Sequence, residues 1–272
     1  MQPLEGKIAV VLGASAEAGT GWAIAEALAE AGATVVVGAR SEAPLKKLAQ
    51  KIDGLAVACD ACKEDQVKNL IDQTIKKYGR LDIAVNSAGA ANLGMIADST
   101  DELMQDALQL NFMGHLYFVK HAAAAMKQGG SIVLVSSLST THPMPPNFSY
   151  ACAKSATDCL VRYAAIEYGS QNIRVNSILP GPIVSDMAKG FLDNPAIASV
   201  FKKEIPMGRL GYPRDYANAV VWLAGPAYVT GLNIPVCGGN QLLRFPQLNE
   251  MPGAGGAWEG QGKTLHDRDN PK

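Results

Sequence analysis

A surplus of positive charge is missing from this sequence. Its 272 residues carry 24 Lys and Arg against 25 Asp and Glu, a formal net charge of -1 with a pI near 6.4. No basic excess is left to neutralise duplex phosphates and no lysine cluster to meet anionic lipid, which argues against nucleic-acid and membrane partners. No apolar run reaches the length needed to span a bilayer. MQPLEGKIAVV enters a strand pattern without the cationic region, apolar stretch or cleavage site of a leader.

Cysteine and histidine are sparse as well. Cys59, Cys62, Cys152, Cys159 and Cys237 form an odd, scattered set that suits a reducing, cytoplasmic setting better than a disulfide framework. CDAC, with Cys59 and Cys62, has redox or zinc spacing, yet no second CxxC or histidine pair completes a metal site. Two small apolar residues at a strand end explain it. His115, His121, His142 and His266 share no metal-ligand spacing and fit surface or core positions, so no metal is expected.

What is present is apolar residue, 48% of the chain, enough to fill a substantial core. Short β-rich runs alternate with longer helical patterns: KIAVVLG, WAIAEALAEAG, TVVVGAR, APLKKLAQKI, LAVACD, EDQVKNLIDQTIKKYG, LDIAVNSAG. This alternation predicts right-handed βαβ units, and the unbroken apolar strands predict helices on both faces of a parallel sheet. The pattern continues with a helix over 101–127, the strand GSIVLVSS, a helix over 149–168, the strand IRVNSIL, a helix over 214–224 and the strand LNIPVCG. The expected fold is α/β, a single doubly wound Rossmann sheet of about seven strands. Residues 187–211 read as an irregular stretch beyond a strand's carboxyl end, where such sheets bind ligands. Residues 1–239 form the expected dinucleotide-binding and catalytic domain, and 240–272 a Gly/Pro-rich arm or tail. Within that tail, RFPQL from Arg244 either docks on a neighbour or frays.

Gly13, Gly19 and Gly21 fall between the first strand and first helix, where backbone N–H groups can face a pyrophosphate. Asp60 ends the third strand, placed to accept an adenine amino group, and NSAG, holding Asn86, Ala88 and Gly89, ends the fourth. The order of these pieces, followed by LNFMG, SS, YACAK and PGPIVSDM, resembles the short-chain dehydrogenase/reductase family over about residues 4–239. Most members have three residues between the first two glycines. Here five intervene between Gly13 and Gly19, which is similar to the divergent enoyl reductases.

The resemblance implies a nicotinamide cofactor held by Gly13, Ser15, Gly19, Gly21, Arg40, Ser41, Asp60, Ala61, Asn86, Ala88, Gly89, Tyr150, Lys154, Pro180, Gly181, Ile183 and Ser185. At the end of the second strand stand Ala39, Arg40 and Ser41; a guanidinium there with no acid favours NADP(H) over NAD(H). Glu17 in the long loop opposes this if it faces the same site, and Arg40 also reads as a solvated strand-end charge.

Tyr150 and Lys154, four apart, project from one helix face. Tyrosine's pKa of ~10 is about three units above neutrality, a gap of ~4 kcal/mol. A lysine cation about 4 Å away supplies ~4 kcal/mol at an effective dielectric near ~20, which predicts a phenol brought into working range. By the resemblance Tyr150 is the general acid or base, Lys154 also binds the nicotinamide ribose, Ser137 polarises the carbonyl oxygen, and Asn111 holds a water against the lysine. Enoyl reductases place six residues between tyrosine and lysine, and that offset falls on Thr157. The loop thus resembles one branch and the catalytic pair the other. Cys237 stands where many members have aspartate, which affects a contact at the sheet end.

The leading expectation is an NADP(H)-dependent ketone/secondary-alcohol oxidoreductase acting on a small molecule. The alternatives are a C=C (enoyl-type) reductase and a catalytically silent nucleotide-binding sensor. Met144, Phe148, Met187 and Phe191 are candidate walls of an apolar substrate pocket, or ordinary packing. Lys189, Lys202 and Lys203 either meet an acyl-carrier phosphate or form a solvated helix face. The resemblance also implies a homodimer or homotetramer joined through helices at about 101–128 and 149–169, with Ala153, Ala156 and Ala164 permitting close approach.

Overall fold

IAVVL and TVVVGA have no polar side to give to water, so each must lie inside a sheet covered on both faces. The computed structural model, which describes residues 3–185, 188 and 191–252, contains that sheet. Its strands are β1 (Ile8–Leu12), β2 (Thr34–Ala39), β3 (Leu55–Ala58), β4 (Ile83–Asn86), β5 (Gly130–Val135), β6 (Ile173–Pro180) and β7 (Asn233–Val236). All pairings are parallel, in the order β3-β2-β1-β4-β5-β6-β7. Proline at 235 withholds a ladder donor, which the edge position of β7 tolerates.

The intervening helices are α1 (Thr20–Glu30), α2 (Glu42–Lys51), α3 (Glu64–Tyr78), α4 (Asp101–Leu108), α5 (Gly114–Ala125), α6 (Phe148–Gly169), α7 (Pro195–Lys203) and α8 (Pro213–Ala224). Side chains of α1, α2 and α8 pack on one sheet face around Val11, Val35 and Val85. Those of α3, α5 and α6 cover the other around Val10, Val36 and Ala84. Alternate residues of one strand thus feed two cores, and the chain is doubly wound. Among the described residues no helix is long and apolar enough to cross a membrane.

Three expectations change. The helix over 101–127 is interrupted: a π-helical turn, Gln109–Met113, separates α4 from α5. The stretch 187–211 is not irregular throughout, because Asn194 accepts from Ala196 N–H (3.0 Å) and Pro195 opens α7. The alanines of α6 also divide otherwise than a close helix-helix contact with a second copy requires: Ala153 and Ala164 are buried within this chain, and Tyr163 and Ile166 are the exposed apolar residues.

A third, smaller cluster lies beyond the carboxyl ends of the strands. It joins Leu192, Phe201 and Ile205 to Phe245 and Met251 from the segment after β7. Arg244 lies 3.0 Å from Glu204 and 2.6 Å from Glu250, and Asn240 Nδ2 donates to the Glu204 and Arg244 carbonyls. RFPQL therefore rests partly on its own chain, through Arg244 and Phe245. Met187, Lys189 and residues 253–272 lie outside the described residues.

Candidate active site

The chain leaves β1, builds β2 and β3 to one side, then returns to lay β4 on the other side of β1. Leu12 is level with Gly38 and Asn86, so three loops diverge at one crevice. Gly13 turns the chain there with φ +88°, and a Cβ would overlap the Ala88 backbone nitrogen. Gly19 caps α1 with no side-chain hydrogen bond, and no acid occupies the first turn. Those helix-start N–H groups are the donors a phosphate requires, so the residues present fit a dinucleotide.

A cleft of about 490 Å³ opens from this point. Gly13, Ser15, Gly19, Gly21, Arg40, Ser41, Asp60, Ala61, Ala88 and Gly89 line one end; Ser137, Tyr150, Lys154, Pro180, Gly181, Ile183 and Ser185 line the other. Asn86 and Asn111 are not on its wall. Asn86 is fully buried and shapes the turn, accepting from Ala88 N–H (2.9 Å) and donating to Gly114 O (3.3 Å). Asn111, equally buried in the π-turn, donates to Ala90 O (3.1 Å) and accepts from Ala90 N–H (3.2 Å). Glu17 is turned to Lys47 (2.7 Å), an exposed pair, and does not line the cleft.

Ser137 follows β5, and its Oγ is 2.7 Å from Ser139 Oγ and accepts from Ser139 N–H. Tyr150 and Lys154 come from the first turns of α6 on the face turned to β5. Lys154 Nζ lies 5.9 Å from the Tyr150 ring centroid and donates to Val135 O (2.8 Å) and towards His115 Nε2 (3.2 Å). Burial sets the charge states. It pushes the Tyr150 phenol up to about 12, against a hydrogen bond with Ser137, and pulls Lys154 down to about 7, against the charge of Asp158. The phenol thus moves opposite to the direction expected from the spacing of the pair, because burial acts on it more strongly than the hydrogen bond with Ser137. A phenol so held keeps its proton at neutral pH.

At the far end Leu93, Met144, Phe191, Leu192, Phe201 and Phe245 line the cleft. Phe201 stands edge-on to Phe191 (centroids 5.8 Å) and to Phe245 (6.4 Å). Cys59 and Cys62 also line the cleft, beside Asp60, with both thiols pushed up to about 12 by burial, so neither is a ready nucleophile. Cys237 donates to Gln241 Oε1 (2.7 Å) and packs against Gly181.

A family model described as Enoyl-(Acyl carrier protein) reductase matches residues 13–241. The 7alpha-hydroxysteroid dehydrogenase of Escherichia coli (strain K12) is 36% identical over 248 residues, covering 87% of this chain and 94% of that protein. The chain belongs to the short-chain dehydrogenase/reductase family. Another relative, the 7alpha-hydroxysteroid dehydrogenase of Clostridium sardiniense, is 34% identical and covers 92% of this chain and 98% of its own. A solved short-chain type dehydrogenase/reductase from Mycobacterium ulcerans superposes with a TM-score of 0.87 at 31% identity, over 91% and 94% of the two chains. This protein is accordingly an oxidoreductase of a family that uses NAD(P)(H).

Several site residues of this short-chain dehydrogenase/reductase escape a reading of its sequence. Ser139 is recognisable only as the weaker-spaced neighbour of Ser137. Phe245 lies past the end of the matched family region, where no periodicity announces a wall. His115 has no motif spacing; its one signal is its place four residues after Asn111.

Proposed function

We propose that this short-chain dehydrogenase/reductase interconverts an uncharged, largely apolar ketone and its secondary alcohol with NADP(H). The observation that carries the reading is the convergence of Ser137, Tyr150 and Lys154 on one cleft wall, with the phenol held protonated. A bound nicotinamide would supply or accept the hydride. The chain's own part is proton handling and placement. Tyr150 gives its proton to the carbonyl oxygen in reduction, Ser137 donates a hydrogen bond to that oxygen, and Lys154 favours the phenolate left behind. In oxidation the phenolate takes the alcohol proton.

Arg40 on the cleft wall, flanked in the chain by Ala39 and Ser41, and Glu17 engaged elsewhere support a 2′-phosphate. Leu93, Met144, Phe191 and Phe245 support an apolar substrate, as do relatives named for a hydroxysteroid. Exposed Tyr163 and Ile166 on α6 support a homodimer or homotetramer through this helix. Five free thiols support a cytosolic setting.

The five-residue glycine gap and the description of the family model favour reduction of an activated C=C bond as the second reading. Against it, Thr157 at the enoyl lysine position is buried and donates to Asn111 O (2.6 Å). The test is a panel of apolar ketones, secondary alcohols and a crotonyl thioester with NADPH, NADH and their oxidised forms, read by nicotinamide absorbance. Ketone-dependent NADPH oxidation is expected. Turnover of the thioester alone would transfer the protein to the second reading, and background rates throughout would leave a silent nucleotide binder.

A further inference from the structure

The start of α5 carries an imidazole that the proton chemistry above does not use. His115 is fully buried; its Nε2 lies 3.2 Å from Lys154 Nζ and 3.2 Å from Ala88 O, and its Nδ1 has no hydrogen-bond partner. Burial and the neighbouring lysine hold the ring well below the ordinary histidine range, so it is neutral. A neutral ring has one N–H. If the proton is on Nε2 it donates to Ala88 O and opposes an ammonium N–H; if it is on Nδ1, Nε2 accepts from the ammonium and turns a lone pair on Ala88 O. One nitrogen cannot serve both partners. The charge of Lys154 therefore selects the tautomer, and the tautomer decides whether the Ala88 carbonyl is held.

Ala88 belongs to the turn after β4 that lines the cleft beside Gly89, and a Cβ on Gly89 would lie 3.1 Å from Asn111 Oδ1 and 3.2 Å from Lys154 Nζ. We propose that His115 is a positioning residue that ties Lys154 to this turn, so that the lysine's protonation and the seat of the cofactor's nicotinamide end change together. The inference rests on the oxidoreductase reading. The charged or titratable groups facing Lys154 are Tyr150, Asp158 one turn along α6, and His115 itself; Arg162 in turn faces Asp158. A lysine that changes charge near neutrality gives the coupling a working range.

The test compares H115L and H115Q with the parent. Glutamine offers Oε1 to the ammonium and N–H to Ala88 O at once; leucine offers neither. Loss of an acceptor lowers the lysine's proton affinity, so in H115L the decline of ketone reduction with rising pH moves to lower pH by about one unit. The KM for NADPH also rises severalfold in H115L, and H115Q restores both quantities. A folded H115L with an unmoved midpoint, or with a loss equal at every pH that glutamine does not restore, would overturn the proposal. Nitrogen NMR of the His115 ring in the parent and in Lys154→Met, with and without NADP+, decides the matter without turnover. Expected is a tautomer change across neutral pH that the lysine variant lacks; a single tautomer at every pH in the parent would overturn it. Failure of the ketone panel with the tautomer change intact would sink the reaction and not the coupling.

Discussion

The two ends of the cleft are built by different means. At the cofactor end the wall is backbone and small side chains, Gly13, Gly19, Gly21, Ala88 and Gly89, fixed to strands whose neighbours set them within one register. At the substrate end the wall is large apolar side chains gathered from Leu93, Met144, α7 and the segment after β7, held by a cluster of their own. The first end admits almost no variation at Gly13, Gly19 and Gly21, where a Cβ meets backbone. The second exchanges one apolar surface for another with modest cost. Placement of a common cofactor and choice of substrate are thus separable in this chain.

The sharpest way to break that comparison is at the junction. Tyr150→Phe should lower kcat for ketone reduction by about 10²–10⁴-fold while NADPH affinity, read by fluorescence titration, changes less than about twofold. A comparable loss of NADPH binding would mean that the ends are not separable.

Lys154→Met should abolish turnover and stabilise the fold. Between pH 7 and 10.5 the unfolded lysine binds a proton that the folded one does not, so the parent gains stability as pH rises through this window. The methionine variant lacks that slope. Its advantage should be about 4 kcal/mol at pH 7, allowing for the lost bond to Val135 O, and should fade towards pH 10.5 in denaturant titrations. An advantage independent of pH would show that the lysine is not held near neutrality.

Arg40→Ser probes the cofactor end alone: the KM for NADPH should rise about 10- to 100-fold and that for NADH hardly move. Equal effects on both would assign Arg40 to the general wall. Phe245→Ala probes the other end, with about a three- to tenfold rise in KM for bulky apolar ketones, unchanged KM for small ones and unchanged NADPH binding. An equal rise for small ketones would remove Phe245 from the specificity wall.

The cofactor end was the more legible of the two in the sequence. Alternating apolar runs specify β1 to β4 because a strand buried on both faces admits little else, and the glycines stand where side chains collide. The Ser137, Tyr150 and Lys154 spacing is local to one strand end and one helix turn, so it reads directly. The substrate end depends on contacts distant in sequence: His142 Nε2 on Gln241 O (3.0 Å), Phe201 on Phe245, Arg244 on Glu204. No window of a few residues holds them. The direction of the Tyr150 shift is not legible in the sequence for a related reason, since a pair of residues viewed alone carries no information on how much water the fold excludes.

The π-turn at Gln109–Met113 also has an effect beyond its five residues. A wider coil at that point re-phases the helix that follows, turning α5 about its axis relative to α4, and it is the re-phased helix that carries His115 inward to meet the lysine. A chain without that turn would aim a different side chain at the lysine.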